Sequence, residues 1–301
     1  HSCQHFAPIL EGEEYPETIP CLCFQIQNCN ESSNLQIEPV IHGEDVLSIA
    51  AISMDEDSVK KINNQKLYQH YQTLLSTARM EIVYCGSAGE DRVVRALQAA
   101  FAALPRGVVN PMEPVQICKA PAQPRTVVEE MDVQQGKLAM GWRCGSGDVP
   151  AMIMANLLFG GTSNAKLFLN VREKMSLCYY AGSSYARSKQ IMTVSSGIEV
   201  KDYDKAVREI LHQLEQVKQG QWEDWELNGA LATMRTSLEA LPDSQGALEN
   251  YYLGQIATDT PDTPAELWQA ISAVTKERIM AAAKSAKLDT IYFLKGKEES
   301  V

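Results

Sequence analysis

No run in the sequence approaches the roughly 20 apolar residues that a membrane-spanning helix needs. The opening HSCQHFAPILEGEEYPETIP also lacks the basic-then-apolar order of a secretory leader. No membrane partner is expected, and the chain is expected in the cytoplasm. Positive charge is scarce: 27 Lys and Arg stand against 38 Asp and Glu, a net charge of -11, and the basic residues are scattered along the chain. Such a surface repels a phosphate backbone, which argues against nucleic acid as a partner. None of the eight cysteines forms a C-x-x-C pair, so zinc knuckles and dithiol redox sites are excluded. Cys85, Cys144 and Cys178 lie in apolar strand-like runs and read as small core residues. His1, Cys3, His5, Cys21 and Cys23 are all metal-binding types, but their spacings match no common structural zinc pattern and the cluster reads as incidental. A phosphate-binding G-x-x-x-x-G-K-[ST] loop and a G-x-S-x-G serine elbow are both absent.

What is present is a chain of 301 residues with 45% hydrophobic content, enough to bury the core of one large or two ordinary domains. Residues 1–54 carry little pattern beyond two short strand candidates, CLCFQI and LQIEPVI, around an Asn/Ser/Gln tract. From Asp57 the spacing of Val59, Ile62, Leu67, Tyr71, Leu74 and Leu75 predicts a helix, followed by a strand at 80–86 and a second helix over 89–104. Residues 107–125 hold four prolines without a period and read as an extended linker. Beyond it the pattern predicts strands TVVEEMDV and KLAMGWRC, a helix over 150–159, a Gly-Gly turn and a helix over 164–175. Strands LCYYAGSSYA and IMTVSSGIEV follow, then helices over 203–219, 222–240, 244–258 and 265–286, and a closing strand at 289–296.

The closing helix and DTIYFLKG repeat the order and apolar pattern of the earlier helix and MEIVYCG. The expected architecture is therefore α+β: two α/β sandwiches with mixed sheets, each burying helices against a sheet face. Residues 1–106 would form a partial first repeat, 107–125 the linker and 126–301 a complete second repeat.

The segment FGGTSNAKLFLNVREKMSLCYYAGSSY, residues 159–185, resembles the second-repeat signature of the insulinase/pitrilysin family, which includes the mitochondrial processing peptidases. Gly160, Gly161, Ser163, Leu167, Phe168, Val171, Arg172, Glu173, Leu177 and Tyr179 fill the family's positions. VEEMDVQQGKLAMGW and LYQHYQTLLSTARMEIVYCG resemble its flanking elements, so the likeness covers about residues 55–296. The resemblance implies a processing-peptidase-like metallohydrolase fold. Catalytic members hold zinc with an H-x-x-E-H helix in the first repeat plus a downstream Glu. The five histidines here, His1, His5, His42, His70 and His212, do not supply that motif. No catalytic residue and no metal ligand is therefore assigned, and zinc would enter only through a missing or partner domain.

What the resemblance leaves is Arg172 and Tyr179, at positions that reach the substrate carbonyl in the family. A guanidinium and a phenol are suitable donors to such an oxygen. The same two residues also admit a plain structural role, with Arg172 paired to a neighbouring carboxylate and Tyr179 packed in the sheet. Glu129, Glu130 and Asp132 read as the solvent side of a strand and turn, and Trp222 and Trp225 as one helix face. Three functions stay open: a proteolytically silent subunit that binds peptide or unfolded polypeptide as a homo- or heterodimer with an insulinase-like partner; a truncated zinc endopeptidase; and a non-enzymatic peptide-binding scaffold.

Overall fold

The computed structural model describes the backbone of residues 23–27 and, with side chains almost throughout, residues 63–109, 117–131, 133–258, 260 and 262–296. The strand candidate LQIEPVI, Asp132 and the histidines and cysteines of the first 22 residues lie outside them. Two compact units are present.

The smaller unit contains strand β1 (Cys23–Gln27), helix α1 (Asn64–Thr77), strand β2 (Arg79–Val83) and helix α2 (Glu90–Phe101). β1 and β2 pair antiparallel as a two-stranded sheet. Asn63 caps α1 by accepting from the Lys66 amide at 2.9 Å, which satisfies one of the unpaired donors of the first turn. At the other end Arg106 donates to the Leu75 and Ala78 carbonyls at 2.6 and 2.8 Å, a cation on the negative end of the helix dipole. Glu90 and Asp91 stand in the first turn of α2, where the same dipole favours anions.

The larger unit begins with strands β3 (Arg125–Met131) and β4 (Gly136–Cys144) and helix α3 (Val149–Asn156), which runs on into a π-helical segment, Leu157–Gly161. A second π-helical segment, Leu167–Lys174, leads to strands β5 (Cys178–Ala186) and β6 (Ile191–Ile198). Helices α4 (Tyr203–Lys218) and α5 (Asp224–Glu239) follow. Helix α6 (Gln245–Thr258), inside the 126–301 stretch by sequence, belongs to the smaller unit, where it lies against β2 and Gln245 donates to the Cys85 carbonyl. Helices α7 (Pro264–Ser272) and α8 (Lys276–Ser285) and strand β7 (Ala286–Gly296) complete the larger unit.

Two local readings of the sequence are corrected. The helix expected over 265–286 is two helices, because Thr275 caps a new one by accepting from the Arg278 amide. The Gly-Gly pair ends a π-helical segment instead of forming the turn itself.

The five strands lie in the order β3-β7-β4-β6-β5, with β3 and β7 parallel and the other neighbours antiparallel, so the sheet is mixed as expected. Period-two alternation sends Leu138, Met140, Trp142 and Cys144 of β4 to one face, where each is at most 1% exposed. Helices cover that face: Trp142 meets Phe159 edge-on at 6.0 Å, and Phe293 of β7 stacks on Tyr203 of α4 at 4.6 Å. The amphipathic stripe of α4, Ala206, Ile210, Gln213, Leu214 and Val217, is buried as its 3.6-residue spacing requires.

Candidate functional site

Arg172 and Tyr179 stand on consecutive elements, the second π-helical segment and β5, so the positioning of that segment decides the site. Leu167 and Val171 anchor it, both with no exposed surface. Just before it, Lys166 is buried and its ammonium reaches the carboxylate of buried Glu226 in α5 at 3.0 Å. Asn170 donates to Gln213 of α4 at 2.9 Å. The segment leaves its helix through Ser176, whose φ of 51° lies in the left-handed region, and the amides of Met175 and Leu177 bond back to Asn170 and Val171.

β5 is held from the other side by the first π-helical segment. A Cβ on Gly160 would stand 2.6 Å from Leu167 and 2.9 Å from the backbone nitrogen of Ser183, so only glycine permits this approach of helix to strand. The Ser183 hydroxyl donates to the side chain of buried Asn156 at 2.7 Å, fixing the register of that contact.

On this frame Arg172 is half-exposed. Its guanidinium lies 4.5 Å from the centre of the Phe168 ring, and its nearest carboxylate, Glu173, is 3.6 Å away. Phe168 is one turn earlier, a support that cation–π attraction makes favourable and leaves in contact with solvent. Tyr179 is 78% exposed. In the β5–β6 ladder Cys178 pairs with Ile198 and Tyr180 with Gly197, so Tyr179 is the extra residue of a β-bulge. A bulge re-aims a side chain and interrupts pairing, which explains why Tyr179 is not packed in the sheet. Arg172 also acts electrostatically on Cys178, the neighbour of Tyr179. Burial pushes the Cys178 thiol up, and the Ser196 hydroxyl and Arg172 pull against that.

Further residues that motif reasoning did not single out as site residues border the bulge. Tyr180 lies across Gly197, where a Cβ would meet its ring at 2.7 Å. The Lys137 ammonium is 5.5 Å from the centre of that ring and donates to Gln135 at 3.2 Å. Burial, then the adjacent Cys178, raise the Tyr180 phenol. β5 is the last strand of its sheet, with no outer strand partner among the described residues. Glu129 and Glu130 prove to be partnered, with the Tyr292 hydroxyl and with Lys295. Trp222 precedes α5 and lies beneath Lys276 at 4.9 Å, so it does not share a helix face with the half-exposed Trp225.

Arg172 and Tyr179 thus stand on the second π-helical segment and on the strand it leads into, and a family profile described as peptidase M16 inactive domain matches residues 61–234. The chain belongs to the peptidase M16 inactive-domain family. The insulinase/pitrilysin resemblance is thereby borne out. The probable inactive metalloprotease YmfF of Bacillus subtilis (strain 168) is 36% identical over 250 residues, which are 80% of this chain and 57% of that protein. A conserved protein from Enterococcus faecalis V583 has a similar structure, with a TM-score of 0.70 and 28% identity over 81% of this chain and 58% of its own. The peptidase M16 inactive domain from Pseudomonas fluorescens shares the fold at a TM-score of 0.62 and 18% identity, over 80% of this chain and 60% of its own. The chain thus spans less than two thirds of the length of these relatives.

The zinc of catalytic insulinase-type enzymes does not fit the residues present. Among the described residues no group of three or more His, Cys, Asp or Glu side chains could hold a metal ion. His70 is exposed on α1, and His212 is exposed on α4, where it bonds Gln216 at 3.1 Å. In the sequence only His1 and His5 stand four residues apart, and Gln4 occupies the place of the motif's Glu. A side-chain amide cannot take a proton from water, so that spacing does not rebuild the hydrolytic motif.

Proposed function

We propose that this chain is a non-catalytic insulinase-like protein that binds extended peptide or unfolded polypeptide, and that it works as a homo- or heterodimer with an insulinase-like partner bearing the zinc site. The observation that carries this reading is the exposed Tyr179 on a bulge of an edge strand, with the ring-supported Arg172 on the element that precedes it. A peptide adding to the edge of β5 would take its affinity from main-chain hydrogen bonds, which read little sequence. Arg172 and Tyr179 would donate to its carbonyl oxygens, as their family positions do, and hold the peptide in one register without cleaving it. The division into a partial repeat over 1–106, a linker over 107–125 and a complete repeat over 126–301 belongs to the same proposal. So does a cytoplasmic location, which suits the free thiols of Cys85, Cys118, Cys144 and Cys178.

The test is fluorescence anisotropy of a labelled unstructured peptide with the wild-type chain and the Arg172→Ala/Tyr179→Phe variant. A hydrogen bond with a charged partner contributes roughly 1.5–3 kcal/mol, and each 1.4 kcal/mol is tenfold in Kd. The variant should bind at least about tenfold more weakly with an unchanged melting temperature. An unchanged Kd would make the pair structural and remove the basis of the proposal.

A further inference from the structure

Two tyrosines stand side by side at the start of β5, and the sheet keeps one and expels the other. Cys178 pairs with Ile198 and Tyr180 with Gly197, so one residue between these pairs is surplus. The ladder is fixed on both sides of it. Upstream stands the Cys178–Ile198 pair, and downstream Ala181 is buried opposite Ser196, whose hydroxyl donates to the Tyr180 carbonyl at 2.9 Å. A bulge must therefore expel one residue here, and either tyrosine could be that residue without changing the pairs on either side.

What distinguishes the two is the place over Gly197. Gly197 lies between Tyr180 and Lys137 of β4 in one row across three strands, and period-two alternation puts that row on the face away from Leu138 and Met140. A Cβ on Gly197 would stand 2.7 Å from the Tyr180 ring and 3.0 Å from the Gln135 carboxamide oxygen, so the bare glycine is what leaves room for the ring. Lys137 closes the row, with its ammonium 5.5 Å from the ring centre and bonded to Gln135 at 3.2 Å. This seat has room for one ring. Tyr180 fills it and is 39% exposed, whereas the surplus Tyr179 is 78% exposed. We infer that Gln135, Lys137 and Gly197 are positioning residues of the peptide site: they seat the Tyr180 ring and so make Tyr179 the tyrosine that the bulge presents. The inference deepens the proposed function and rests on it. The three residues act through Tyr180 and need not touch the peptide.

Nitration of tyrosines by tetranitromethane, mapped by mass spectrometry on the full 301-residue chain, reads the seat directly, and anisotropy of the labelled peptide reads its consequence. Tyr180→Ala empties the seat. Tyr179 should then take it, with its nitration falling to about half the wild-type value as its exposure drops from 78% toward the 39% of the seated ring. The peptide Kd should rise by the factor that Tyr179→Phe alone produces, and adding Tyr179→Phe to Tyr180→Ala should cost nothing more. Tyr180→Phe keeps a ring over Gly197 and should give wild-type values in both assays. Gly197→Ala fills the seat and should raise nitration of Tyr180 to that of Tyr179. Unchanged nitration of Tyr179 in Tyr180→Ala would overturn the inference and leave the proposed function standing. Withdrawal of Tyr179 with an unchanged Kd would instead overturn the role of the seat in peptide binding together with the proposed function.

Discussion

Replacing Asp289 with asparagine should remove about 3–5 kcal/mol of stability, the range for breaking a buried ion pair from one side. Asp289 is 1% exposed in β7, and its carboxylate takes Arg143 of β4 at 2.8 Å and Arg125 of β3 at 2.7 Å. Thr290 donates a third hydrogen bond at 2.6 Å. One carboxylate therefore joins three adjacent strands, and the amide would leave the buried Arg143 guanidinium facing a neutral group with a donor of its own. Against a total of roughly 5–15 kcal/mol, that loss brings the larger unit near unfolding at room temperature.

The same site sets an acid limb. Burial pushes the Asp289 carboxyl up, but the bonds from Arg143, Thr290 and Arg125 outweigh it and hold the group below the usual carboxylate value. A depressed folded-state pKa means the stabilisation is present above the unfolded value, about 3.9, and is lost as pH falls from there through the folded value. Urea denaturation of the wild type between neutral pH and pH 3 should show that loss, and the Asp289→Asn variant should show a flatter profile over the same window. Equal stability of the two proteins at pH 7 would contradict the account of this cluster.

Gly160→Val should destabilise the larger unit by about 3 kcal/mol, the upper part of the range for overpacking, because a backbone atom is among the obstructions. The added Cβ would meet the Ser183 hydroxyl at 2.8 Å and the Ser183 nitrogen at 2.9 Å; the hydroxyl can rotate away, but the backbone nitrogen cannot yield without moving β5. Displacing β5 also breaks the Ser183–Asn156 bond and moves the Tyr179 bulge. Peptide affinity should therefore fall together with the melting temperature, whereas Arg172→Ala/Tyr179→Phe should lower affinity alone. A Gly160→Val variant of wild-type stability would show that the π-helical segment has room that its contacts deny.

Much of this frame was legible in the residues. β4, β5, β6 and β7 follow runs of alternating or continuous apolar residues, and α4 follows a clean 3.6-residue stripe. Arg172 and Tyr179 were found by motif resemblance. Their setting was not legible, for identifiable reasons. The π winding of Leu157–Gly161 and Leu167–Lys174 shares the apolar spacing of an α-helix too closely to be separated over five to eight residues. The bulge at Tyr179 carries no glycine to mark it. The break before Thr275 is hidden because apolar residues continue on both sides of it. Lys166 and Glu226 are 60 residues apart, and nothing local in either segment announces a buried ion pair. Glu129 is solvent-facing as its sequence setting suggests, but its tyrosine partner comes from a strand 163 residues away and nothing local announces it.

The central claim is that this member of the M16 family binds peptide without its own zinc chemistry. Elemental analysis of the purified chain for zinc, run beside a quenched-fluorescent peptide assay with and without added zinc, tests it most directly. The account predicts substoichiometric zinc and no cleavage in either condition, with saturable peptide binding retained. Near-stoichiometric zinc with chelator-sensitive cleavage would contradict it and direct attention to His1, Cys3 and His5.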